Sequence, residues 1–346
     1  MNPDRIPPVT VLIDRHDHPD WTTAALAAHC PAQGRVTVHP ATANGAPAAL
    51  AHDLLYTLGK RLPADGASHG TWADSQGPAW DAATAWTLAH HISHVIVCRT
   101  NRLTTARRRQ LLSLRERTGI HLTLLWHQPA GPALRALLEQ TPHRVIDTLP
   151  GAHIALEQTS RPPSGAKSPA QHRHAQATPC QDDEQWITPL PHHRGTRVIR
   201  LPRAPCPGAE PTTSVADAAE PEHGDDRSPT AVLAARLAQV AHPLYAAALT
   251  IHAITGASTA QLALIRATDI DDTLSVLKTH DSRAHRSCKL YPAPGWAQPL
   301  LSAAKTYGRL QHRNPNSPLL PLINAHHGQE LTAHATAIRY TPHSHP

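Results

Sequence analysis

Short runs of aliphatic and β-branched residues recur through the first part of the chain, each followed by a longer stretch with helical spacing. The runs are Val9–Ile13, Arg35–His39, His94–Cys98, His121–Trp126 and Arg144–Asp147. Between them lie helical stretches over Thr22–His29, Ala46–Lys60, Ala79–His91, Thr104–Thr118 and Pro132–Gln140. Strand alternating with helix predicts an α/β fold with a five-stranded, mainly parallel sheet covered by helices. The helix over Thr104–Thr118 has the clearest ends. Thr104 is placed to cap it, Leu111, Leu112 and Leu114 give part of an apolar face, and Gly119 stops it.

The pattern changes from Thr159 to Arg227, where Pro, His, Gln, Ser, Asp and Glu dominate and apolar residues lose their period. Such a stretch buries too little apolar surface to offset its ordering entropy, so a disordered linker is expected over 159–227. Thr196–Leu201 is the exception and reads as a short strand. Periodicity returns at Ser228-Pro229, an N-cap followed by proline at the first helical position. A helix to Ala241, a second over Leu244–Ile254 ending at Gly256, and a third over Thr259–Arg266 capped by Ser258 are expected. A hairpin pairing Thr273–Lys278 with Ser287–Tyr291 follows, then a helix over Pro299–Leu310 and a Pro/His-rich tail. The expected division is therefore an α/β domain over 1–158, the linker, and a smaller helical domain over 228–346 with one hairpin and a disordered tail.

Composition limits how these elements pack. The 346 residues include no Phe, one Met, 34 Pro and 28 His, so the cores rest on Leu, Ala, Val and Ile with seven Trp and five Tyr as anchors. A formal charge of +6 permits an anionic partner without requiring one. Cys30, Cys98, Cys180, Cys206 and Cys288 are scattered and odd in number, which supports neither a disulfide framework nor a thiolate zinc site. No apolar stretch approaches the ~20 residues of a membrane span, and Met1–Arg5 lacks the features of a signal peptide. A cytoplasmic protein without a membrane partner is expected.

The loop after the first strand, Asp14-Arg15-His16-Asp17-His18-Pro19-Asp20-Trp21, stands where a strand–loop–helix unit would cradle phosphate. It has no Gly to let backbone N–H groups approach, no Lys, and three carboxylates that repel a triphosphate. With that frame, Val9–Leu149 resembles the AAA-type P-loop ATPases of transposition accessory and origin-recognition proteins. Ile96-Val97-Cys98-Arg99-Thr100-Asn101-Arg102-Leu103-Thr104 resembles the Walker B strand and its exit, with Cys98 at the metal-organising Asp and Arg99 at the water-activating Glu. Trp21 falls at the Walker Lys, and His127 is nearest the polar sensor. The resemblance thus implies a degenerate nucleotide site, of which Thr22, Thr23 and His127 are what remains. Neither cofactor nor metal is expected there.

Further along, Thr255-Gly256-Ala257-Ser258-Thr259-Ala260-Gln261-Leu262-Ala263-Leu264-Ile265-Arg266-Ala267-Thr268-Asp269-Ile270-Asp271 resembles the opening of a tyrosine-recombinase catalytic domain. The hairpin brings Lys278 to the position of a catalytic Lys, and Arg286 lies near the following strand. Departures fall on the chemistry. Ser258 stands where the first catalytic Arg belongs, and no nucleophilic Tyr follows His343, Tyr340 lying on its wrong side.

Other candidates are weaker. Arg107-Arg108-Arg109 form the densest basic cluster, which reads either as a solvated helix face or as a phosphate-contacting patch. His90, His91 and His94 have helical spacing for a metal but no accompanying Glu, and 28 histidines make such pairs common. Two enzyme-like frames without their catalytic groups point to a non-catalytic accessory protein that binds DNA or a partner protein, with mobile elements as the common thread. DNA-contact candidates are Arg107, Arg108, Arg109, Lys278 and Arg286. The competing expectations are an active AAA-type ATPase and a small-molecule-binding α/β protein.

Overall fold

The computed structural model describes residues 6–40, 46–62, 71–139, 141–157, 197–199, 229–280, 288–319 and 325–340. Except for 197–199, the linker read over 159–227 lies outside these residues, as do Arg286 and the last six positions. The chain divides into two compact units. One contains Met1–Lys60 and resumes at His69; the other takes Arg61, whose N–H donates to Gln239 O, together with the later elements.

The first unit is built on strands β1 (Val9–Ile13), β2 (Arg35–Val38), β3 (His94–Val97), β4 (His121–Trp126) and β5 (His143–Ile146). All neighbouring pairs are parallel, in the order β2-β3-β4-β1-β5. Every residue of β1 and β3 is buried, as expected for a parallel sheet covered on both faces. Edge strand β5 is instead largely exposed, with His143 and Arg144 discouraging further pairing.

The covering helices are α1 (Pro19–Ala27), α2 (Ala49–Thr57), α3 (Thr71–Asp74), α4 (Gln76–Ala89), α5 (Thr105–Thr118), α6 (Pro132–Leu138) and α7 (Leu149–Glu157). Helix α1 packs with α7, while α4 packs with α2 and α5. Chain direction explains this. The β1-to-β2 connection runs one way along the sheet and the later ones run the other, so right-handed crossovers place their helices on opposite faces. Helix α5 keeps its expected ends: Thr104 Oγ1 accepts the Arg107 N–H, and Gly119 adopts φ +73°. Helix α7 was not expected from the sequence.

The second unit holds α8 (Pro229–Leu237), α9 (Pro243–Thr255), α10 (Thr259–Leu262), α11 (Gln298–Leu310) and α12 (Ala325–Ala337) together with a small antiparallel sheet. Its strands are β6 (Arg197–Ile199), β7 (Val276–His280) and β8 (Cys288–Pro292), in the order β6-β8-β7. The short strand expected within Thr196–Leu201 thus adds to the hairpin. Helix α9 is buried along its whole length, and α8, α11 and α12 all pack against it. Within the Pro/His-rich tail, α12 spans Ala325–Ala337, and the last six positions lie outside the described residues.

Candidate site at the carboxyl ends of β1 and β4

Strands β1 and β4 are neighbours, but their outgoing chains diverge, β1 toward β2 at one edge and β4 toward β5 at the other. Such a switch point opens a crevice at the carboxyl ends of the strands, the usual ligand position in open α/β sheets. Asp14 is the first residue beyond β1, and His127 the first beyond β4. The Asp14 N–H donates to Trp126 O at 2.9 Å, extending the ladder and aligning the two side chains.

The His127 ring is the hub. Its Nδ1 lies 2.9 Å from Asp14 Oδ2 and 3.0 Å from Asp17 Oδ1, and its Nε2 lies 3.4 Å from Thr22 Oγ1. The His127 and Asp14 side chains are 1% and 2% exposed, against 45% for Asp17, so the cluster opens to solvent on one side. Each carboxylate is also held at its other oxygen: Asp14 Oδ1 accepts the His16 N–H at 3.2 Å, and Asp17 Oδ2 accepts from Arg99 Nη1 at 3.1 Å. The hydrogen bond and positive charge of Arg99 hold the Asp17 carboxyl below its ordinary value. Asp17 and Arg99 both adopt positive φ, 52° and 51°. That region costs a non-glycine residue roughly 1 kcal/mol, and such residues gather at functional sites.

Thr22 and His127, expected as site remnants, are therefore brought together, whereas Thr23 is exposed on α1. Of the positions matched to Walker chemistry, Trp21 and Cys98 are not available to a ligand, whereas Arg99 reaches the cluster through Asp17. Trp21 and Cys98 pack in one apolar cluster with Leu12, Ala25, Ile96 and Leu125, and burial pushes the Cys98 thiol up to about 12. Sequence reasoning missed the contributions of Asp14, Asp17 and Arg99. Their signal was positional: an Asp-x-x-Asp run begins right after one buried strand, and a His stands right after another.

The arginine cluster needs correction as a surface patch. Arg107 and Arg108 are buried, their guanidinium groups turned to backbone oxygens. Arg107 Nη2 donates to Ala46 O, while Arg108 Nε and Nη2 both donate to Leu103 O and the group lies over the Trp126 ring. Of the three, Arg109 alone is exposed. Lys278 is half-buried on β7. His90 and His94 are also separated in role, His90 stacking on Trp86 beyond the end of α4 and His94 bonding Thr123 within the sheet.

The recombinase-like phrase of the second unit is occupied with folding. Gly256 ends α9 at φ +67°, and Thr255 Oγ1 accepts the Ala257 N–H at 3.0 Å. Ser258 and Gln261 form a reciprocal capping box at α10. Asp269 Oδ2 accepts the Arg266 N–H at 2.8 Å, and Asp271 Oδ1 accepts the N–H groups of Ser275 and Val276. Tyr340 is 1% exposed, and burial pushes its phenol well above the ordinary value. No family model, curated protein or solved structure matches this chain. Among the described residues no helix is long and apolar enough to cross a membrane.

Proposed function

We propose that this chain is a non-catalytic accessory protein that works by binding DNA or a partner protein, with an origin in mobile elements suggested by its two sequence resemblances. One observation carries this reading. In both enzyme-like frames the catalytic groups are replaced, and several of the residues at the matched positions serve the fold instead. Trp21 and Cys98 are core residues, the Asp14–Asp20 loop sets the Asp14 and Asp17 carboxylates against the His127 ring, and Ser258, Asp269 and Asp271 serve caps and turns. Carboxylates in place of glycine N–H groups and a Lys disfavour a triphosphate.

Two measurements test it. Purified protein with Mg²⁺-ATP is expected to show no turnover above a heat-killed control, and turnover abolished by Thr22→Ala would overturn the reading. DNA affinity measured at two salt concentrations is expected to fall steeply with salt and to weaken in an Arg109→Ala/Lys278→Ala double variant. Absence of DNA binding at low salt would remove the DNA half and leave protein docking. The competing reading, a small-molecule-binding α/β protein, is favoured by the position of the His127 cluster at the switch point. ATP or another small anion binding without hydrolysis, and weakened by Thr22→Ala, would favour that alternative.

A further inference from the structure

We propose that Asp14, Asp17 and His127 form a site for a first-row divalent transition-metal ion, with Asp14 Oδ2, Asp17 Oδ1 and His127 Nδ1 as its ligands. These atoms all lie within 4.8 Å of one another and come from two different loops. The proposal is independent of the DNA or protein partner and requires no nucleotide.

The arrangement around Nδ1 carries the argument. An imidazole nitrogen presents one in-plane direction, so a single N–H cannot point squarely at two carboxylates 2.9 and 3.0 Å away. A cation on that lone pair takes both oxygens at once. The spacing also fits, because ligands about 2.1 Å from a metal at right angles to one another stand about 3.0 Å apart.

The outer contacts have the pattern that orients metal ligands. Ligation at Nδ1 leaves the proton on Nε2, which faces the Thr22 hydroxyl at 3.4 Å. The His127 N–H faces Asn101 Oδ1 at 3.4 Å, and each carboxylate's second oxygen is held, by the His16 N–H or by Arg99. All three ligand side chains thus have their remaining polar atoms engaged away from the common point.

Donor type narrows the ion. One imidazole with two carboxylates suits Mn²⁺, Fe²⁺, Co²⁺ or Zn²⁺ better than Ca²⁺ or Mg²⁺, which favour all-oxygen sets. Three protein ligands, with Asp17 half in solvent, leave coordination positions open to the crevice.

The test titrates the whole 346-residue chain with Mn²⁺, counting free ion by electron paramagnetic resonance. Manganese is chosen because it binds isolated surface histidines weakly, a concern in a chain with 28 of them. Wild type is expected to bind one equivalent with at least roughly tenfold higher affinity than Asp17→Asn, whose substitution lies at the half-exposed ligand. A second readout needs only wild-type protein: the His127 ring resonances should broaden at lower Mn²⁺ than those of any other histidine. Equal Mn²⁺ binding by wild type and Asp17→Asn, no binding by either, or broadening that begins at other histidines overturns the proposal.

Discussion

His127 Nδ1 lies 2.9 Å from Asp14 Oδ2, and both side chains are almost sealed from solvent although 113 positions separate them in the chain. The contact exists because β1 and β4 are adjacent and end level, Ile13 opposite Trp126. The pair ties the two strand ends together, and each member keeps a second contact, His127 Nδ1 with Asp17 Oδ1 and Asp14 Oδ1 with the His16 N–H, so the loss of one partner is only partly compensated.

Asp14→Ala is therefore expected to lower the stability of the first unit by about 1.5 kcal/mol, the scale for losing one buried hydrogen bond when the His127 ring keeps Asp17 as a partner. Thr22→Ala, which removes only a half-buried hydroxyl 3.4 Å from Nε2, should cost under about 1 kcal/mol. Denaturant unfolding followed by tryptophan fluorescence measures both, with Trp21 and Trp126 beside the site. Similar midpoints for Asp14→Ala and wild type would refute the dependence.

The three consecutive arginines are expected to separate sharply. Arg108→Ala leaves Leu103 O without its two guanidinium donors and removes the group over Trp126, a loss of about 2 kcal/mol. Arg109→Ala changes an exposed side chain and should stay within about 0.5 kcal/mol of wild type. Thermal unfolding of the two single variants gives the comparison, and equal losses would mean that the burial of Arg108 has no energetic consequence.

His94 gives the first unit an acid limb. Burial, reinforced by His121 and Arg35, lowers its pKa to about 4 from 6.5. Its Nε2 bonds Thr123 Oγ1 at 2.8 Å, while Nδ1 is buried with no hydrogen-bond partner among the described residues. Between those values the unfolded chain binds the proton and the folded one does not, so stability falls as pH drops from about 6.5 toward 4. The full effect of this one group is on the order of 3 kcal/mol. Stability profiles over that window should be steeper for wild type than for His94→Gln, and parallel profiles would remove His94 as their source.

What could be read from the chain, and what could not, follows from how local each cause is. All five strands of the first sheet were legible as short apolar runs, and α5 was legible through Thr104 and Gly119, because those signals act within a few residues. Helix α12 was hidden because Ala325–Ala337 carries Gly328 and several His and Thr and few large apolar residues; the burial of Leu331 and Ala335 and its packing on α9 identify it only in the folded state. Helix α7 was obscured by Pro150 and Gly151 in its first turn, where proline is in fact tolerated. The candidate site was legible only in pieces. Thr22 and His127 could be named, but joining them to Asp14 requires knowing that β4 lies beside β1, and joining Asp17 to Arg99 requires a left-handed backbone at two non-glycine positions.

Ser258 offers the sharpest test of whether the Thr255–Asp271 segment serves folding. Its side chain accepts the Gln261 N–H, and Gln261 Oε1 accepts the Ser258 N–H at 2.8 Å, closing both ends of the capping box. Ala and Arg cannot supply the acceptor, whereas Asp can. Ser258→Ala and Ser258→Arg should therefore each lose about 1 kcal/mol, with Ser258→Asp near wild type. Installing Arg where the recombinase resemblance calls for one should at the same time yield no covalent adduct with nicked DNA, because the hydroxyl of Tyr340 is buried and raised in pKa. Denaturant unfolding of the three variants and adduct trapping on the Arg variant decide the matter. Equal stability in all three removes the capping role, and a trapped adduct at a tyrosine restores the enzyme.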